Sequence, residues 1–388
     1  MSSATLLVEL HTEELPPKSL FRLAAEFSNQ MHRSLVVAGF LGPDAGNQPA
    51  KFFATPRRLA VQFSDVFDAQ PDRVIERKGP AVAAGIDANG KPTKALEGFM
   101  RSAGVGFEQL ERIRDGKAEF FVARISKAGE RLDQHLAAMV EAATKKLPVA
   151  KIMRWGSGEA QFVRPVHRLV MVHGDRIVAG EVLGLQAGNV TFGHRFMSGG
   201  DIIIRNADDY ERALESEGRV IADFVKRREA IRKQLDAAAA QLRAGVRWLN
   251  DAALLDEVTA LVEYPEVYTA SFEQEFLQVP QECLILTMKQ NQKYFPLLDA
   301  GGKLQNSFLV VSNIKTDKRD NIIQGNERVV RARLSDAKFF YDQDRKERLA
   351  ARVDKLAAVV YHNKLGSQLA RVERIERLAG NIARHLHT

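Results

Sequence analysis

Gly85-Ile86-Asp87-Ala88-Asn89-Gly90-Lys91-Pro92 keeps the spacing of a phosphate-cradling loop as far as its lysine. Proline then stands where a serine or threonine hydroxyl would hold magnesium. No run of buried residues precedes it, so Asp87-Ala88-Asn89-Gly90 reads as a turn before a helix opened by Pro92-Thr93, and no ATP chemistry is encoded there. The nine histidines include no His-x-x-x-His pair and Cys283 is the single cysteine, so a metal site would have to be gathered from distant segments and none is expected. Gly156-Ser157-Gly158 lacks the spacing of a nucleophile elbow. Asp342 and Asp344, two apart on a helix, point about 160° away from each other and cannot share acid–base work; they read as solvated or as pairing with Arg345 and Lys346. Cys283, in the apolar run Cys283-Leu284-Ile285-Leu286, reads as a small core residue without a cation to lower its pKa. No catalytic residue is therefore assigned.

Basic and aromatic residues cluster instead, in Lys151-Ile152-Met153-Arg154-Trp155, Arg164-Pro165-Val166-His167-Arg168, His194-Arg195-Phe196 and Lys289-Gln290-Asn291-Gln292-Lys293-Tyr294-Phe295. Cationic side chains neutralise phosphates, flat rings accept unstacked bases, and amides bond base edges or a 2′-hydroxyl. Arg154, Trp155, Arg164, His167, His194, Arg195, Lys289, Gln292, Lys293 and Tyr294 are thus candidate nucleic-acid contacts. In residues 325–340 the helical period of about 100° per residue puts Val330, Leu334, Ala337 and Tyr341 on one face and Arg328, Arg331 and Lys338 on its flank. That flank fits a phosphate surface, a joint between domains, or solvent. With 56 basic against 49 acidic residues, the charge of +7 favours an anionic partner.

The positioning elements follow from periodicity. A strand over 6–10 leads through Glu13 and Glu14, read as acids near a helix N-terminus, to a helix opened at Pro16-Pro17 with Leu20, Leu23, Phe27, Met31 and Leu35 on one face as far as Gly39. Residues 52–67 alternate as strands around Thr55-Pro56-Arg57-Arg58, whose arginines are expected to point outward. Residues 81–150 read as a mostly helical insertion, with helices over 95–101 and 132–147 and one strand over 119–125. Strands over 168–172 and 176–182 flank Gly174-Asp175, another sheet segment covers 190–196, and 208–242 is a helical excursion. Residues 284–287, 294–298 and 308–312 are strand-like, the last two forming a hairpin, and everything after about 318 reads helical. At 388 residues and 45% hydrophobic content, the chain has material for two or three α+β domains. The start lacks a signal sequence and no apolar window spans a membrane, so a cytoplasmic location is expected. The helical pattern of 371–387 stops without a cap, which reads as a truncated chain.

Thr12-Glu13-Glu14-Leu15-Pro16, Phe53-Ala54-Thr55-Pro56-Arg57-Arg58-Leu59, Met153-Arg154-Trp155-Gly156, Phe162-Val163-Arg164-Pro165-Val166-His167, Gly193-His194-Arg195-Phe196-Met197, Thr287-Met288-Lys289 with Gln292-Lys293-Tyr294-Phe295-Pro296, and residues 325–340 together resemble the β subunit of bacterial heterotetrameric glycyl-tRNA synthetase, in its N-terminal part. The resemblance implies a role in ligating glycine to tRNA(Gly) within an α2β2 assembly. ATP and magnesium would bind the α subunit, with no cofactor in this chain. It implies a discontinuous mixed-sheet domain similar to the B3/B4 module over 1–80 and 151–318, a helical lobe over 81–150, a helical excursion over 205–245, and the start of an all-helical HD-like domain over 319–388. No His-Asp dipeptide occurs, so HD-type metal hydrolysis gets no support. The B3/B4 likeness raises aminoacyl-tRNA editing as a rival. Steric exclusion from a glycine pocket leaves little for editing to do, because every competitor is larger. A purely structural module that binds the α subunit is the third reading.

Overall fold

The computed structural model describes residues 2–42, 50–87, 90–116, 118–149, 151–242 and 244–386. Ala88 and Asn89 of the turn reading and His387 of the terminal helix lie outside them. The chain divides into two compact units, Met1–Ile231 with Leu255–Glu266 and Ser312–Lys315, and Arg232–Leu254 with Val267–Val311 and Thr316–Thr388.

The first unit contains β1 (Ser3–Thr12), α1 (Leu20–Ala38), β2 (Lys51–Thr55), β3 (Arg58–Phe67), β4 (Arg73–Ala81), α2 (Val82–Gly85), α3 (Lys94–Ala103), β5 (Leu110–Asp115), β6 (Ala118–Lys127), α4 (Leu136–Lys145), β7 (Met153–Arg154), β8 (Gln161–Phe162), β9 (Val166–His173), β10 (Arg176–Ile177), β11 (Glu181–Val182), β12 (Leu185–Gly188), β13 (Val190–Phe192), β14 (Asp201–Ile203) and α5 (Tyr210–Ser216), and α6 (Phe224–Leu242) begins in it. Its main sheet runs β11-β12-β9-β1-β3-β2, with β10 on β9. β1 pairs antiparallel with both β3 and β9, so its side chains are committed to two buried faces. Leu6, Val8 and Leu10 face a core with Leu23, Phe27 and Met31 of α1 and Leu136 and Val140 of α4. Leu7, between them, joins Val170, Val172, Tyr210 and Leu214 on the opposite face. Gly39 ends α1 at φ 79°, a left-handed cap that a residue with Cβ adopts only under strain.

Two expectations for this unit change. Residues 81–150 are not mostly helical. β4, β6 and β5 form a separate three-stranded sheet, and α4 packs into the main core. β5 carries Glu111, Arg112 and Arg114 on a mostly exposed strand, bordered by surface ion pairs from Arg124 to Glu76 and Glu111, so little hydrophobic alternation is there to read. Residues 190–196 supply only the short β13, paired with β14.

The second unit contains β15 (Arg247–Trp248), most of β16 (Glu266–Ser271), α8 (Gln281–Thr287), β17 (Phe295–Leu298), most of β18 (Leu304–Ser312), α9 (Arg319–Arg345), β19 (Val360–His362), β20 (Gly366–Ser367) and α10 (Gln368–His385), and α7 (Ala252–Thr259) begins in it. Its sheet runs β15-β17-β18-β16. The sheet domain expected as one body over 1–80 and 151–318 thus has its strands in separate sheets, and α9 packs Val330 and Leu334 onto the second of them. Residues 284–287 are helix, not strand, because Leu284 and Met288 bury at a spacing of four while Cys283 and Leu286 face outward. Cys283 is accordingly exposed rather than in the core. The stretch after 318, expected to be all helix, includes the β19–β20 hairpin.

Candidate nucleic-acid interface

The C-terminal end of β1 meets the turn between β2 and β3 and the start of β9. Backbone bonds lace them together: Thr12 N donates to Arg57 O (2.7 Å), Leu15 N to Pro56 O (2.6 Å), and Glu13 N to Pro165 O (2.8 Å). The last residue of β13 joins the same end, where Arg58 Nη2 donates to Phe192 O (2.7 Å). Segments scattered from residue 11 to residue 195 therefore meet where the central strand β1 ends, at one rim of the main sheet.

The outer layer of this edge is charged. Glu13 accepts from His167 Nε2 at 2.9 Å and from Arg195 Nη2 at 3.3 Å. Burial works against its charge, yet the His167 hydrogen bond and the Arg195 charge hold its carboxyl below the usual carboxylate range. Arg164 is locked by its neighbours' backbone, donating from Nε to Glu14 O (2.9 Å) and from Nη1 to Val163 O (2.8 Å). Phe196, next to Arg195, leaves 76% of its surface in solvent. Arg57 is half-buried, and its Nε has no acceptor. Burial pulls its pKa below the ordinary arginine value; the nearby charge of Glu263 opposes this and that of Arg195 adds to it.

Behind it lies a buried polar layer. Arg58, expected outside, is fully buried: Pro56-Arg57 forms the turn and Arg58 opens β3 on the inward face. Its guanidinium meets Glu9 Oε2 at 3.3 Å, Thr55 Oγ1 at 3.3 Å and Glu263 Oε1 at 3.8 Å. The hydroxyls of Thr191 and Tyr210 also donate to Glu9, and Thr55 donates to Glu263 at 2.8 Å. Burial opposes the charge on Arg58, but Glu9, Tyr210 and Glu263 hold it protonated above the ordinary arginine range. Burial and the Glu9 charge likewise keep the Tyr210 hydroxyl protonated. Arg227 completes the layer by donating to the carbonyls of Ala54 (2.6 Å), Ile221 (2.5 Å) and Thr259 (3.1 Å), with burial bringing its pKa down to about 10. His11, against the Phe192 ring, is 1% exposed with both ring nitrogens unpartnered, and burial followed by the fields of Arg58, Arg57, His167 and Arg168 pushes it down to about 2. His194 is buried; its Nδ1 accepts from Phe196 N, which leaves the proton on Nε2, where it has no acceptor.

Among the described residues no serine, threonine or cysteine bonds a histidine, and no group of three or more His, Cys, Asp or Glu could hold a metal ion.

Of the sequence-predicted contacts, Arg164, His167, His194 and Arg195 share this edge. Arg154 pairs with Glu159 (3.1 Å), and Trp155 lines a cavity of about 840 Å³ with Val149, Phe162 and Leu185. Lys289, Gln292, Lys293, Tyr294, Arg328, Arg331 and Lys338 belong to the second unit. There Lys289 pairs with Asp251, Tyr294 donates to Asn326 Oδ1 (2.6 Å), and Lys293 adopts φ 61° after the π-helical turn Met288–Gln292. Arg331 pairs with Glu273 and Lys338 with Asp342 (2.7 Å), so two of the three cations on that flank are already neutralised; Arg328 is exposed. Asp344 pairs with Arg352, not with Arg345 or Lys346. Glu13 and the Arg58 network escaped the sequence reading, because their partners lie up to 208 positions away.

A mixed α+β chain carrying a charged cluster at the end of its main sheet is what the structure defines. The family model described as glycyl-tRNA synthetase beta subunit matches residues 6–388. The chain belongs to that family. A glycine–tRNA ligase beta subunit of Neisseria meningitidis serogroup A is 52% identical over the whole chain and 55% of the relative. One from Aromatoleum aromaticum is 54% identical and one from Acidovorax sp. 50%, with the same coverage. The chain thus spans about half the length of the curated relatives it matches. Among the described residues no helix is long and apolar enough to cross a membrane.

Proposed function

We propose that this chain is the part of a glycine–tRNA ligase β subunit that binds tRNA(Gly) and docks the α subunit in an α2β2 enzyme, with ATP and magnesium held by the α subunit. The convergence of Arg57, Arg164, His167, Arg195 and exposed Phe196 at one end of the sheet carries this reading. Such an edge grips phosphates with its cations and offers a ring to a base. The first unit is read as the B3/B4-like module and residues 319–388 as the start of an HD-like domain. The rigid Arg58 network behind the edge supports the placement of its cations, since preorganised side chains lose less entropy on binding. Aminoacyl-tRNA hydrolysis draws no support from this edge. The test is tRNA(Gly) binding by the full-length β subunit with its α subunit. Combined Arg164→Ala and Arg195→Ala substitutions are expected to weaken binding and flatten its salt dependence by about two units of log–log slope. Unchanged affinity and slope would sink the proposal.

A further inference from the structure

We propose that Glu13 is a built-in stand-in for an RNA phosphate, occupying the position between His167 and Arg195 that a phosphodiester takes when tRNA binds. This rests on the tRNA-binding reading of the same edge. Glu13 bonds both residues through different oxygens, at 2.9 Å to His167 Nε2 and 3.3 Å to Arg195 Nη2, a bridging arrangement that a phosphate with two free oxygens reproduces. Its backbone is fixed by the bond from Glu13 N to Pro165 O, whereas its side chain stays 40% exposed and free to swing away. His167 and Arg195 keep 44% and 47% of their side-chain surfaces in solvent, so a ligand reaches them without unfolding anything. Behind them, Arg57 Nε and His194 Nε2 are buried donors without a partner. Glu13 keeps His167 and Arg195 aligned in the free protein, at the cost of competing with RNA for them.

The experiment measures tRNA(Gly) affinity of the full-length β subunit with its α subunit at fixed low salt, for Glu13→Gln, Glu13→Asp, His167→Ala and Arg195→Ala. Glu13→Gln, which keeps the shape and drops the charge, is expected to tighten binding about three- to tenfold and to steepen the salt slope by roughly one. Glu13→Asp, with its shorter reach, moves affinity the same way by less, and serves if the glutamine variant melts early. If Arg195→Ala and His167→Ala weaken binding but Glu13→Gln leaves it unchanged or weaker, the carboxylate is an organiser and the inference fails while the tRNA reading stands. If neither His167→Ala nor Arg195→Ala changes affinity, both fail.

Discussion

Replacing Arg58 by methionine removes the one buried cation that faces both Glu9 and Glu263. Arg58 and Glu9 are 0% exposed and Glu263 is 2% exposed, so no water replaces what is lost. The guanidinium bonds Thr55 Oγ1, Glu9 Oε2 and the Phe192 carbonyl at 3.3, 3.3 and 2.7 Å, and it lies 3.8 Å from Glu263. Removing one partner from a buried ion pair costs about 3–5 kcal/mol, most of it from the carboxylates left behind. At roughly 2–4 °C per kcal/mol for a unit of this size, the melting temperature should fall by about 6–20 °C. Circular dichroism during heating and in urea measures both quantities. Adding Glu9→Gln to Arg58→Met should recover part of the loss, because it removes one stranded charge. A single variant within about 1 kcal/mol of the parent, or a double variant that is additive, would refute the assignment of Arg58 as the keystone of this layer.

His11 is held neutral, down to about 2, so the folded state binds fewer protons than the unfolded chain at any pH between that value and about 6.5. Its contribution is present above pH 6.5 and is lost as pH falls; unfolding free energy should drop by up to about 1.4 kcal/mol per pH unit between pH 6.5 and 5, and His11→Asn should flatten that slope. The hydroxyl of Tyr294 is pushed up to about 12 by burial, so its contribution is intact below pH 10 and lost as pH rises to 12. Ultraviolet difference titration, compared with Tyr294→Phe, should show one tyrosine ionising in that upper window. On α9, whose cations belong to the second unit and not to the edge that carries Arg195, Arg331→Ala with Lys338→Ala should leave tRNA affinity within twofold. A loss equal to that of Arg195→Ala would return this helix to the RNA surface.

Local pattern carried the first strand and the helix of Leu23, Phe27 and Met31, because a core face repeats every three or four residues and a left-handed glycine closes it. It also picked Arg164, His167, His194 and Arg195, which the sheet brings to one edge. Their assembly was not readable, since Glu13 meets His167 and Arg195 across 154 and 182 positions. Arg58 misled for a related reason: an arginine after a proline turn looks solvent-bound until a buried Glu9 is placed beside it by strand register. The apolar run at 284–287 was ambiguous between strand and helix, and only burial at Leu284 and Met288 decides it.

Amide hydrogen exchange on the full-length β subunit with its α subunit, with and without tRNA(Gly), tests the central claim most directly. The account predicts tRNA-dependent protection in residues 12–16, 55–58, 164–168 and 193–197. Protection absent there, or confined to the helix of residues 319–345, would contradict it.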